Sequence, residues 1–165
     1  MQMPDDDAVR YVPQFSLQSR DELKSIIDEH NGAPERRIVQ RLLATEITTM
    51  VHGADAARDA EAAADILFGA DPTQATFEAL SAVASEVPTT VIGHNQLDDV
   101  FGLLASAGVV ASTSDARRTI AQKGIKVNGA VLEEGQTLAA HGILHDKWVL
   151  VRKGKTTYHL FDVAR

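Results

Sequence analysis

Residues 112–129 read Ser-Thr-Ser-Asp-Ala-Arg-Arg-Thr-Ile-Ala-Gln-Lys-Gly-Ile-Lys-Val-Asn-Gly, and the rest of the chain is organised around them. Ser112 followed three residues later by Asp115 has the form of a capping box. A helix is therefore expected to start near Asp115 and to end at Gly124, the residue that best tolerates a left-handed stop. Ala116 and Ile120, four apart, share the inward face, which leaves Arg117, Arg118, Gln122 and Lys123 on the outer surfaces. Ile125 and Val127 then alternate with Lys126, and Asn128-Gly129 is the strongest short hairpin signal. Four cations against one acid between Asp115 and Lys126 suit phosphate contacts made from a rigid frame.

This stretch resembles the core of the S-four-like RNA-binding domain. The matching positions are Leu97, Val100, Phe101 and Leu104 on a first helix, then Ser114-Asp115-Ala116-Arg117-Arg118, Gly124 and Val127-Asn128-Gly129. The resemblance implies that two short helices and the following turn form the RNA-contacting surface, with Ser114, Arg117, Arg118, Lys123, Lys126 and Asn128 in it. Family members often carry a basic residue where Thr113 stands here, so the resemblance implies one phosphate contact fewer.

The chain has 165 residues, 44% of them apolar, which is enough for one ordinary core or two small ones. No apolar run approaches the ~18 residues that span a bilayer, and no N-terminal segment has the pattern of a signal peptide. The absence of Cys removes disulfides and thiolate metal sites and fits a reducing cytoplasm. Net charge is −7, yet residues 1–92 hold 7 Lys and Arg against 16 Asp and Glu, while residues 93–165 hold 9 against 7. Basic character is thus segregated in the C-terminal part, an expectation of two domains with different partners.

In chain order, residues 3–17 read as a short helix with Val9 and Val12 on one face, stopped near Pro13. Ser19 with Glu22 repeats the capping pattern ahead of Leu23, Ile26 and Ile27. Pro34 is placed in the first turn of the next helix, where Val39, Leu43, Ile47, Met50 and Val51 keep helical spacing up to Gly53. An Ala-rich helix follows from Asp55 to Phe68, closed by Gly69, and a further one spans roughly residues 73–85. The first 90 residues are expected to form an antiparallel helical bundle. Val87-Pro88-Thr89-Thr90-Val91-Ile92-Gly93 breaks the helical period where the charge changes, so the division into domains 1–90 and 91–165, with a hinge over residues 87–95, is placed there. Beyond the basic helix, Val131 and Leu132 return from the Asn-Gly turn, and residues 135–138 read as loop and short strand. Residues 148–151 and 157–161 then form a hairpin across Arg152-Lys153-Gly154-Lys155. The fold class is α+β: a helical bundle, then two short helices packed on a small, mostly antiparallel sheet.

Taken together, the two parts resemble the C-terminal region of bacterial tyrosyl-tRNA synthetases. The similarity rests on Asp5-Asp6-Asp7-Ala8-Val9-Arg10-Tyr11, on the stretch from Ala44 to Val51-His52-Gly53, on Leu67-Phe68-Gly69, on the basic helix, and on Val151-Arg152-Lys153-Gly154-Lys155-Thr156-Thr157-Tyr158. The resemblance implies that this chain follows a catalytic domain and contributes to a tyrosine–tRNA ligase, which joins tyrosine to tRNA(Tyr) with ATP and Mg. It also implies that the helical part abuts the anticodon end while the S-four-like part grips the anticodon stem and variable arm. It further implies homodimerisation through the catalytic domain, so that the isolated chain is expected to be monomeric, with no cofactor of its own. The family's His-Ile-Gly-His and Lys-Met-Ser-Lys-Ser motifs are absent; Val91-Ile92-Gly93-His94 resembles the first but lacks a nucleotide fold before it.

Two readings stand at several positions. Arg117, Arg118, Lys123 and Lys126 are RNA contacts or a solvated face. Arg152, Lys153 and Lys155 either touch RNA or blunt an exposed hairpin turn. Trp148 and Tyr158 either stack on bases or are buried in the hairpin. His141 and His145 have metal-pair spacing, but Gly142 interrupts them and no third ligand completes a set. His52 suits a helix C-terminus. Asp98-Asp99 and Glu133-Glu134, adjacent in sequence, point apart, and no catalytic constellation is found. A stand-alone S-four-like module or ribosome-associated factor would account for the basic half, and a protein-interaction bundle for the acidic half.

Overall fold

Ser19 and Glu22 cap one another: the Ser19 amide donates to Glu22 Oε2 at 2.8 Å and the Glu22 amide to Ser19 Oγ at 3.4 Å. In the computed structural model, where residues 3–164 are described, this reciprocal cap starts α2 (Arg20–Gly32), which packs with α1 (Asp5–Phe15) and α3 (Ile38–His52). Ala8, Val12, Leu23, Val39 and Leu43 form the core of this first unit, which covers residues 1–61. Two local expectations are corrected. Pro13 stands inside α1, whose last turn still closes through the Ser16 amide on the Val12 carbonyl. Pro34 opens a separate 3-10 turn, Pro34–Arg36, and left-handed Arg37 (φ 51°) separates it from α3. The Arg37 guanidinium donates to the Met3 carbonyl at 2.9 Å, which holds that residue in place.

The second unit covers residues 62–165 and is built on a five-stranded sheet. Its strands are β1 (Thr89–Gly93), β2 (Ile125–Val127), β3 (Ala130–Val131), β4 (Trp148–Lys153) and β5 (Thr157–Ala164), in the order β1-β5-β4-β2-β3. Among the described residues, β1 and β5 pair in parallel and the other strand pairs are antiparallel. Side chains alternate across the strands. Ile125, Val127, Val149, Val151, Phe161 and Val163 face α6 (Val100–Ser106) and α7 (Thr113–Ala121), meeting Val100, Leu103, Leu104, Ala116 and Ile120 in one core. Trp148, Leu150, Tyr158 and Leu160 face the other way. They pack on Ala63 and Ile66 of α4 (Ala54–Leu67) and on Leu80 and Val83 of α5 (Phe77–Glu86).

This second core moves the division of the chain. Residues 62–88, expected in the bundle, cover one face of the sheet, so the compact units divide at 61/62, inside α4, rather than at 90. The expected linker is also structural: residues 89–93 pair in parallel register with Leu160 to Ala164, and Ile92 is buried. The stretch 135–138 forms no strand; it leads into a 3-10 turn, Ala139–His141.

Candidate nucleic-acid interface

The N-terminus of α7 is capped as its sequence requires, with Ser112 Oγ accepting from the Asp115 amide at 3.2 Å. Asp115 does not return the bond to Ser112. Its Oδ2 takes the Ala111 N–H at 3.2 Å, its Oδ1 takes the Arg118 guanidinium at 2.6 Å, and Lys153 Nζ lies 3.6 Å from Oδ2. The Ala111 N–H, and after it Arg118, hold this carboxyl below its ordinary value. At the other end of the helix the left-handed residue is Lys123 (φ 56°), not Gly124. Gly124 is needed for another reason: a Cβ there would stand 2.9 Å from the Thr119 methyl. The Gly124 carbonyl then accepts the Gly154 N–H at 2.9 Å.

Both ends of α7 are thus tied to the β4–β5 hairpin, one through Lys153 and the other through Gly154. Arg118 and Lys153 meet at Asp115 at one end, Lys123 directly precedes Gly124 at the other, and exposed Lys155 lies in the hairpin turn. Arg118 and Lys123 keep 71% and 68% of their side-chain surface although each has a carboxylate partner, Asp115 and Glu133. Arg117 is exposed beside them, its guanidinium 5.0 Å above the Phe101 ring of α6, which limits the directions it samples. Ser114 is exposed in the first turn of α7. A rigid cationic face of this kind suits phosphate oxygens.

The remaining predicted residues are elsewhere. Lys126 alternates with buried Ile125 and Val127, and Arg152 with Val151, so both project from the opposite face of the sheet, directly across from one another on β2 and β4. There they line a cleft of about 400 Å³ together with Gly69, Asp71, Gly129 and Tyr158. Asn128 is withdrawn from the candidate surface because it is only 4% exposed and its amide is fully used. It donates to the His141 and Gly142 carbonyls at 3.2 and 2.9 Å and accepts the Leu150 N–H at 2.9 Å. This Asn builds its turn, in the left-handed conformation that Asn tolerates.

Trp148 and Tyr158 are buried in the core shared with α4 and α5. His52 closes α3, as its position before Gly53 indicates. His141 Nε2 lies 3.2 Å from Gln136 Oε1 and His145 Nε2 lies 2.8 Å from the Ala75 carbonyl, so the two imidazoles serve different loops. No cluster of three or more His, Asp or Glu able to hold a metal ion occurs among the described residues, and no helix among them is long and apolar enough to cross a membrane. Residues 91–94 run along edge strand β1 into a 3-10 turn, with His94 Nδ1 3.3 Å from the Ala164 carbonyl.

Sequence reasoning treated Asp115 only as a cap, although Arg118 at i+3 already signalled an ion pair. Asp71 and the rest of the cleft carried no local signal, because its walls are some 60 to 90 residues apart in sequence.

A helical unit followed by a sheet unit that carries a cationic helix face defines an α+β protein with a candidate anion-binding surface. The chain belongs to the family described as the tyrosine–tRNA ligase SYY-like C-terminal domain, whose model matches residues 79–161. It is 36% identical over 163 residues to a tyrosine–tRNA ligase of Anaeromyxobacter dehalogenans, covering 96% of this chain and 39% of that protein. The tyrosine–tRNA ligase of Geobacillus stearothermophilus is 35% identical over 97% of this chain and 38% of its own length, and that of Streptomyces griseus is 36% identical over 99% and 39%. The chain therefore spans about 39% of the length of such relatives.

Proposed function

We propose that this chain is the tRNA-binding part of a tyrosine–tRNA ligase, acting on tRNA(Tyr) in the cytoplasm, and that α7 and the β4–β5 turn are its phosphate-contacting surface. The observation that carries the reading is the frame itself: α7, which bears Arg117 and Arg118 and is followed by Lys123, is joined to the hairpin bearing Lys153 and Lys155 through Asp115–Lys153 and Gly124–Gly154. Tyrosine activation, with ATP and Mg, and dimerisation fall to parts of the ligase outside this sequence. The isolated chain is monomeric in this reading and does not catalyse tyrosine-dependent pyrophosphate exchange.

The test is binding of tRNA over a range of salt concentrations. Each phosphate contact contributes roughly 0.7 to 0.9 to the slope of log affinity against log salt. Arg117→Ala, Arg118→Ala and Lys123→Ala each flatten the slope by about that amount while circular dichroism stays unchanged. Unaltered affinity and slope in all three folded variants would make the face merely solvated. Enrichment of one tRNA from fractionated cellular RNA favours the ligase reading, and enrichment of ribosomal RNA favours a ribosome-associated factor instead.

A further inference from the structure

The cleft on the opposite face of the sheet holds what the basic helix face does not use. Lys126 and Arg152 are cross-strand neighbours, an arrangement that costs stability when like charges face each other without a counter-ion. Among the described residues neither forms a salt bridge. Arg152 is instead oriented from below: its Nη1 donates to Tyr158 Oη at 3.2 Å, and that hydroxyl donates to the Ile66 carbonyl at 3.1 Å. The guanidinium lies 5.8 Å from the Tyr158 ring centroid. A Cβ on Gly69 would come within 3.0 Å of Arg152 Nη1, so this glycine leaves the space the guanidinium occupies. The same wall carries Asp71, whose Oδ1 accepts from the Thr73 N–H and hydroxyl at 2.9 and 2.8 Å, fixing the carboxylate beside the Gly129 turn.

Two cations with no carboxylate partner among the described residues and one fixed carboxylate border about 400 Å³, which disfavours the simplest occupant. A bare phosphate would be attracted by Lys126 and Arg152 but repelled by Asp71. A nucleotide satisfies both walls, since its phosphate answers the cations and a base N–H answers the carboxylate. The guanidinium plane adds a surface on which a base stacks. The volume lies within the ~300–1,000 Å³ of small-ligand sites and leaves room for a single residue rather than a stacked run.

We propose that this cleft receives one unpaired nucleotide of the bound RNA, swung out of its stack, with Lys126 and Arg152 on its phosphate and Asp71 on its base. This deepens the tRNA-binding reading and rests on it for the identity of the ligand, but it concerns the face of the sheet opposite α7.

The experiment is a nuclear magnetic resonance titration of the chain with each nucleoside monophosphate, with ribose phosphate and with inorganic phosphate. Saturable shifts are expected at the amides of Gly69, Asp71 and Gly129. Nucleoside monophosphates should bind about tenfold more tightly than ribose phosphate, the equivalent of about 1.4 kcal/mol and of one base stack. Lys126→Ala should weaken nucleotides and ribose phosphate alike. Asp71→Asn, which keeps the acceptor for Thr73, should weaken only the nucleotides. No shift at these amides, shifts confined to α7, or equal binding of ribose phosphate and nucleotides would each overturn the proposal. Unaltered tRNA affinity and salt slope in the α7 variants would instead strike the tRNA reading and leave the nucleotide titration standing, because those variants leave the cleft amides untouched.

Discussion

Lys153 Nζ lies 3.6 Å from Asp115 Oδ2, so the end of β4 and the first turn of α7 share one carboxylate with Arg118 and the Ala111 N–H. Asp115→Ala removes that junction. The expected outcome is faster amide exchange at Ala111 and through residues 153–155, with only a small fall in melting temperature, because exposed ion pairs are screened by water and salt. RNA affinity at low salt moves the other way: Arg118 and Lys153 lose their internal counter-charge and binding tightens. Since the folded state lowers the Asp115 pKa below 3.8, the contribution of this group is complete above that value and is lost as pH falls through the folded-state pKa. An unchanged exchange pattern would show that the carboxylate does not hold the hairpin.

Asn128→Ala tests the turn rather than the surface. It leaves the buried Leu150 N–H without its partner, which costs about 1–3 kcal/mol, and frees the His141 and Gly142 carbonyls, on a half-buried and an exposed residue, to be met by water. It also places Ala at φ 47°, a conformation that favours Asn or Gly. Urea unfolding should show a loss of about 2–4 kcal/mol, while Asn128→Gly, which loses the same hydrogen bonds but accepts the left-handed backbone, should lose less. A change in RNA salt slope without loss of stability would return Asn128 to the RNA surface.

The cap at Ser112, the hairpin of β4 and β5 and the Asn-Gly turn were legible because each is decided within a few residues. The second layer of helices was not, because covering a sheet on its other face is a long-range choice. One signal was nevertheless present. Trp148-Val149-Leu150-Val151 is an unbroken apolar run, and a strand with a solvated face alternates instead. Reading that run as buried on both sides would have required helices beyond α6 and α7, and would have drawn α5 out of the bundle. It would also have parted Lys126 and Arg152 from Lys153, since alternation sends them to opposite faces. Edge strand β1 escaped for a similar reason: a parallel partner 71 positions away leaves no local mark.

Acid should weaken the sheet unit ahead of its carboxylates. His159 is 5% exposed, with its Nε2 2.9 Å from Thr90 Oγ1, and burial pushes its pKa below the ordinary 6.5; partly buried His141 is shifted the same way for the same reason. The unfolded chain therefore binds more protons than the folded one just below pH 6.5, so stability is intact above that value and falls as pH drops toward the folded-state pKa values. His159→Phe should flatten this limb of a melting-temperature profile. A profile that keeps its full slope in the variant would assign the acid sensitivity to other groups.

The division of the chain inside α4 makes the last prediction. A fragment of residues 62–165 keeps Ala63, Ile66, Leu80 and Val83 over Trp148, Leu150, Tyr158 and Leu160, and it keeps β1 on β5. A fragment of residues 91–165, cut at the boundary suggested by composition, strips that apolar layer from one face of the sheet and truncates β1. Fully burying one large apolar side chain is worth about 1.5–3 kcal/mol, so losing several is comparable to the ~5–15 kcal/mol by which whole domains are stable. The longer fragment should melt cooperatively and give dispersed amide resonances, while the shorter one aggregates or stays unfolded. Leu80→Ala in the whole chain should reproduce part of this loss, about 2–5 kcal/mol, in the transition of the sheet unit. Equal cooperative folding of both fragments would place the boundary near residue 90 after all.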